Sequence, residues 1–144
     1  MIGSVSTNHP THDVALVTYF WQDPQDTRDP LKPLQPQSRP AYVGEPLALL
    51  GISALGPALG DLFTLPVTVV QGTVVATNHP QQLTSAGGVR ETLTDAIEVA
   101  CSGVAHGDSG GPAIDAAGNV VGVILGSGPG IATLTPVTDL TSLH

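Results

Sequence analysis

Residues 107–124 read GDSGGPAIDAAGNVVGVI. The first six make a tight loop. Two short runs follow, Pro112–Ile114 and Val120–Leu125, on either side of Asp115–Asn119, which is a hairpin turn by composition. Glycines at 107, 110 and 111 let the backbone come close to a substrate and take up conformations a side chain would forbid. The amides of Gly107 and Ser109 can point into one small space, which suits a developing oxyanion. Ser109 is then an exposed nucleophile. For GDSG alone, a glycine-rich turn with a polar tip serves equally well. The full GDSGGP, followed by strand, hairpin and strand, favours the nucleophile loop.

Working outward from this loop, the chain reads as closely spaced strands and turns. Val14–Phe20 is a β-rich run behind Asp13. Leu47–Ile52 is a strand candidate, and Val67–Thr77 is the strongest strand, with Gly72 expected as a bulge or bend. Thr92–Cys101 and Ile131–Val137 complete the set, and Thr138–His144 is expected to begin a short helix. Residues 1–12 read as a short polar segment. No stretch shows a long 3.6-residue period, so the class is all-β, a barrel or sandwich. Residues 22–40 hold five prolines and three of the four Lys and Arg, and read as an extended connector. The expected organisation is therefore 1–41, a small piece plus connector, and 42–144, a large β unit.

Composition sets limits on function. The 144 residues are 41% hydrophobic but only 3% aromatic, so the core must be built from Val, Leu, Ile and Ala. One Cys allows no internal disulfide. A net charge of −8 with four Lys and Arg argues against a basic nucleic-acid face and against adhesion to anionic membranes. The longest apolar stretch, Tyr42–Gly60, carries Glu45, two prolines and four glycines, too many breakers for a span in lipid. The residues after Met1 show no basic start or apolar run, so a signal peptide is not expected there. His9, His12 and Asp13 lack a further ligand set, so they read as a surface loop and no metal or cofactor is expected.

The stretch 107–124 resembles the nucleophile loop and following hairpin of trypsin-like, chymotrypsin-fold serine endopeptidases, the bacterial members in particular. Two upstream segments extend the resemblance over roughly residues 9–143. His9-Pro10 followed by Asp13-Val14-Ala15-Leu16-Val17 is similar to the segment that supplies the triad aspartate. Val43-Gly44-Glu45-Pro46-Leu47, Leu50-Gly51 and Gln71-Gly72-Thr73-Val74-Val75 are similar to the opening strands of the second barrel. The resemblance implies a chymotrypsin-like double barrel with its second barrel complete, over about residues 43–137, and its first only partial. It implies Ser109 as nucleophile, Asp13 as orienting carboxylate, Gly107 and Ser109 as the oxyanion hole, a peptide or protein substrate, and a secreted or extracytoplasmic location. Gly103, six residues before Ser109, falls at the base of the family's specificity pocket, with Gly126, Gly128 and Gly130 along its wall beside a substrate strand. Gly103 is no carboxylate, so the implied P1 residue is small or apolar rather than Lys or Arg.

The chain departs from the family pattern at the general base. A serine hydroxyl needs a base beside it, normally a His oriented by a buried Asp. The family's His lies well upstream of the Asp, yet only 12 residues precede Asp13 and none resembles that segment. His9 matches the aspartate segment, His12 neighbours Asp13 on the opposite side of an extended chain, His79 follows a long strand, His106 lines the loop and His144 is terminal. A truncated product, a misassigned start at Met1 and a remnant are all compatible with this, and each leaves the first barrel short of strands. The family often pairs a Cys four residues before the Ser; that position is Ala105 here. Cys101 reads as a small buried hydrophobe, or as a partner for a cysteine in the missing region. Two functions follow as expectations: a serine endopeptidase that is inactive as this chain for want of its His, or a non-catalytic pseudoprotease or decayed β-barrel binding protein.

Overall fold

Eight strands follow one another along the chain: β1 Ile2–Asn8, β2 Ala15–Phe20, β3 Pro46–Gly51, β4 Thr68–Thr84, β5 Arg90–Cys101, β6 Pro112–Ile114, β7 Val120–Gly128 and β8 Ile131–Pro136. The structure is a computed structural model that describes residues 2–8, 15–20, 33–52, 67–84, 87–88, 90–105 and 107–138. β1 and β2 form a two-stranded antiparallel sheet, with Ile2 opposite Phe20 and Asn8 opposite Ala15. β3 to β8 close into an antiparallel barrel in the order β3-β4-β5-β8-β7-β6. The expected all-β class with one complete barrel is observed, together with the two-stranded sheet. β1 lies within the segment read as short and polar, where Ile2, Val5 and Thr7 supply β-branched positions among the polar ones.

Alternation places the core. On β3, Leu47 and Leu49 point inward between the exposed Pro46 and the half-buried Ala48 and Leu50. On β8, Ala132 and Leu134 do the same. They meet Val74, Ile97, Val99, Ala113, Val121 and Ile124 in one cluster, which contains no aromatic ring. Small and branched side chains from six strands fill this barrel.

Gly72 does not mark the expected bulge. It sits in regular register, opposite Leu47 on one side and Cys101 on the other. A Cβ there would lie 2.5 Å from Val99 Cγ1, so the glycine lets β4 pass close over β5. The irregularities come later, between Val74 and Gln81 opposite β5. Asn78 takes a φ of 51° there, and Pro80, which has no N–H to give, follows it.

The connector is partly docked. Pro36 lies parallel to Val120, with Gln37 N donating to Val120 O at 2.7 Å and Val120 N to Gln35 O at 2.8 Å. Gln37 Nε2 donates to Asp115 Oδ2 at 3.0 Å and reaches Glu45 Oε1 at 3.4 Å. Glu45, 1% exposed, is neutralised by Arg39 Nη1 at 3.0 Å, as a buried carboxylate requires. Val137–Thr138 begin a 3₁₀ turn; the expected C-terminal helix lies outside the described residues. Among the described residues no helix is long and apolar enough to cross a membrane.

Candidate active site

The loop between β5 and β6 is wound around one side chain. Asp108 is 2% exposed. Its Oδ2 accepts the Ala105 amide at 2.8 Å, its own amide donates to Ala105 O at 3.1 Å, and its carbonyl accepts Gly111 N at 3.0 Å. Gly110 N then donates to Ile124 O at 2.7 Å and Ile124 N to Gly111 O at 2.8 Å, which fastens the loop to β7. Gly107 and Gly110 have φ of 101° and 87°, in the left-handed region where a side chain is strained. Asp108 Oδ1 is buried without a hydrogen-bond partner among the described residues.

Ser109 stands exposed at the apex of this turn, and its Oγ donates to Leu125 O at 3.2 Å. The hydrogen bonds that shape the turn use Asp108, Gly110 and Gly111; the amides of Gly107 and Ser109 donate to no other described backbone group.

The glycine stretches meet beside the serine. Gly103, with φ of 108°, follows β5, and Ser127 Oγ donates to Val104 O at 3.3 Å, tying the end of β7 to that segment. Among the described residues, a Cβ at Gly126 or Gly128 would meet nothing within 4 Å. Ser109 and the segment after Gly103 are thus each tied by a hydrogen bond to the C-terminal half of β7, which carries Gly126 and Gly128. Asp13 lies outside the described residues, as do His9, His12, His106 and His144. His79 is half-exposed, with Nε2 3.3 Å from Glu98 Oε1.

Cys101 is free and half-buried against the core. Burial pushes its thiol above the ordinary range, opposed by a backbone hydrogen bond at Ala132. A thiol so shifted is the less reactive protonated form. Among the described residues no group of three His, Cys, Asp or Glu is placed to hold a metal ion. Two contributors were not legible in the sequence. Leu125 accepts the Ser109 hydroxyl through its main chain, which leaves no trace in residue type. Gly51 lies against the Asp108 carboxylate, a contact made where β3 and β6, far apart in sequence, pair to close the barrel.

Comparison with known proteins follows the same lines. The Rv3671c protease from M. tuberculosis in its active form matches with 23% identity and a TM-score of 0.73, over 98% of this chain and 56% of that one. The same protease in its inactive form matches at 22% identity and 0.66, over 98% and 64%. The protease domain of MamO from Magnetospirillum magneticum matches at 22% and 0.65, over 97% and 66%. The chain therefore spans between about half and two-thirds of the structures it matches, and at these identities they establish a shared fold. Residues 2–123 match the family described as trypsin-like peptidase domain. With that match covering most of its length, the chain belongs to the trypsin-like peptidase domain family of serine proteases.

Proposed function

We propose that this domain is the nucleophile-bearing part of a serine endopeptidase, with Ser109 attacking the scissile carbonyl of a peptide lying along β7. The observation that carries the reading is the GDSGGP loop, wound around buried Asp108 so that Ser109 is exposed. In the reaction a base takes the Ser109 proton as Oγ bonds to the carbonyl carbon. The amides of Gly107 and Ser109 hold the oxyanion. The amine then leaves with the proton from the base, and water hydrolyses the acyl-serine. Asp13 is assigned to orient the base. With glycine rather than a carboxylate at 103, and glycines at 126 and 128, the favoured P1 residue is small or apolar.

The sequence ahead of Asp13 contains nothing like the family's His-bearing segment, so residues 1–144 taken by themselves lack a base. Loss of a triad member typically costs several orders of magnitude in turnover. A serine-directed phosphonate is expected to leave the 144-residue polypeptide unlabelled. It is expected to label Ser109 stoichiometrically in a polypeptide extended N-terminally by a His-bearing segment, and Ser109→Ala abolishes that labelling. Intact-mass measurement reads the outcome. Labelling of the short polypeptide would assign the base to one of its five histidines. No labelling of the extended one favours a binding protein without catalysis.

A further inference from the structure

The connector meets the barrel at the turn of the β6–β7 hairpin, and Gln37 is the residue that grips it there. Two backbone bonds, Gln37 N to Val120 O and Val120 N to Gln35 O, make a single parallel bridge. One bridge is a thin attachment, and Pro36 within it has no N–H to add. The Gln37 side chain, 7% exposed, supplies the rest. Its Nε2 donates to Asp115 Oδ2 at 3.0 Å and makes longer contacts with Glu45 Oε1 and Oε2, at 3.4 and 3.5 Å. Only the NH2 group can face two carboxylates, so charge fixes which way the amide points. Oε1 is then buried with no hydrogen-bond partner among the described residues, which is costly for a polar atom. Arg39 Nη1 also donates to Glu45 Oε1, at 3.0 Å, with its guanidinium over the Tyr42 ring. One amide thus joins three parts of the chain: the connector, the residue before β3, and the β6–β7 turn.

These parts lie along the chain between the residues assigned to the reaction. β6 spans three residues, about 10 Å at the ordinary rise, with Ser109 in the loop before it and Asp115 directly after it. Asp13 stands just ahead of β2 in the sequence, and the chain from β2 to the barrel runs through residues 22–40. Their five prolines are the composition of a semi-rigid spacer. Pinning one end of such a spacer sets the position and direction of what precedes it. We propose that Gln37 is a positioning residue: its amide fastens the connector to the turn at the far end of β6, and thereby holds the β1–β2 sheet, and the Asp13 assigned to orient the base, in register with Ser109. The proposal rests on the peptidase reading. Gln37 touches no reacting atom; it acts through Asp115 and the connector.

The test combines two spin labels with the serine-directed phosphonate. The labels are attached at Thr18→Cys on β2 and Thr73→Cys, exposed on β4, in the 144-residue chain carrying Cys101→Ala. Electron–electron resonance between them is expected to give one narrow distance distribution. Gln37→Met keeps the side-chain length and removes both donors. It is expected to broaden the distribution and, in the His-extended polypeptide, to slow phosphonate labelling of Ser109 about 10- to 100-fold, as small misplacements do. Gln37→Glu sets a third carboxylate beside Glu45 and Asp115, with Arg39 as the neighbouring cation, so the clasp is expected to open at pH 8. The like charges raise the pKa of the new carboxyl, and once protonated its O–H can donate to Asp115 as the amide did. The distribution of this variant is therefore expected to narrow at pH 5, and its labelling rate to approach that of the unsubstituted polypeptide at the same pH. A merely structural glutamine would leave the distances and rates of the folded variants unchanged. A narrow distribution in Gln37→Met, a narrow one in Gln37→Glu at pH 8, a broad one in the unsubstituted chain, or equal labelling rates would each overturn the proposal. If no extended polypeptide labels, the peptidase reading fails, and the distance distributions alone decide whether Gln37 orients the two sheets.

Discussion

Gly51 ends β3 directly beneath the nucleophile turn. A Cβ built on it would fall on Asp108 Oδ1 and within 3 Å of Asp108 Cβ, closer than real side chains approach. Asp108 cannot yield cheaply, because Oδ2 holds the Ala105 amide and its carbonyl holds Gly111. Gly51→Ala is therefore expected to cost about 1–3 kcal/mol, the usual penalty for overpacking a filled site. Gly128→Ala, which meets open space, is expected to stay within about 0.5 kcal/mol. Urea unfolding of the two variants checks both, and equal losses would refute the Asp108 contact. At this scale the sequence was legible where the chemistry is local. GDSGGP identifies the exposed serine and the glycines that shape its turn, since neighbouring residues build both. Gly51 and Leu125 were not legible, because their roles depend on which strand lies opposite and on where one strand gains a residue.

The β6–β7 hairpin shows what an element can disclose. Asp115 Oδ1 accepts the amides of Ala117 and Asn119, each at 2.9 Å, and Gly118 turns the chain with φ of 83°. The backbone bond from Asn119, foremost, and the side chain of Gln37 hold the Asp115 carboxyl below its ordinary range, against the opposing effect of burial. A carboxyl depressed in the folded state adds stability above its unfolded pKa, about 3.9, and loses it as pH falls through the folded value. Asp115→Ala is expected to cost about 1–2 kcal/mol at pH 7 through the lost turn bonds. The gap from the unsubstituted protein should narrow in urea unfolding at pH 2.5; a gap independent of pH would show that the charge contributes nothing. This turn could be read from Asp, Gly and Asn in sequence because turns are set by short-range chemistry. Strand ends were harder to read. β4 runs to Thr84 through Asn78 and Pro80, residues that ordinarily stop a strand, because a bulged ladder with β5 carries it past them. β7 likewise runs on to Gly128 through glycines that composition alone marks as loop.

Over the whole molecule, closure separates the two sheets. Every strand from β3 to β8 has neighbours on both sides, and the barrel shuts around Leu47, Leu49, Val99, Ala132 and Leu134, each no more than 1% exposed. Closure removes sheet edges, and opening such a ladder requires exposing the shared core. β1 and β2 pair with one another as a sheet of two strands, and two-stranded hairpins are marginal by themselves. Among the described residues, the connector between them is held to the barrel at Pro36, Gln37 and Arg39. Native-state hydrogen exchange should register this difference. Amides in the core of β4, β5, β7 and β8 are expected to share one opening free energy, that of global unfolding. The β1–β2 ladder amides should exchange through a separate opening at least about 2 kcal/mol lower, with weaker dependence on denaturant because less surface is exposed. If the β1–β2 amides instead share the barrel's free energy and slope, the two sheets unfold as one cooperative unit. The short sheet would then draw its stability from the barrel, and the division of the chain near residue 41 would have no energetic meaning.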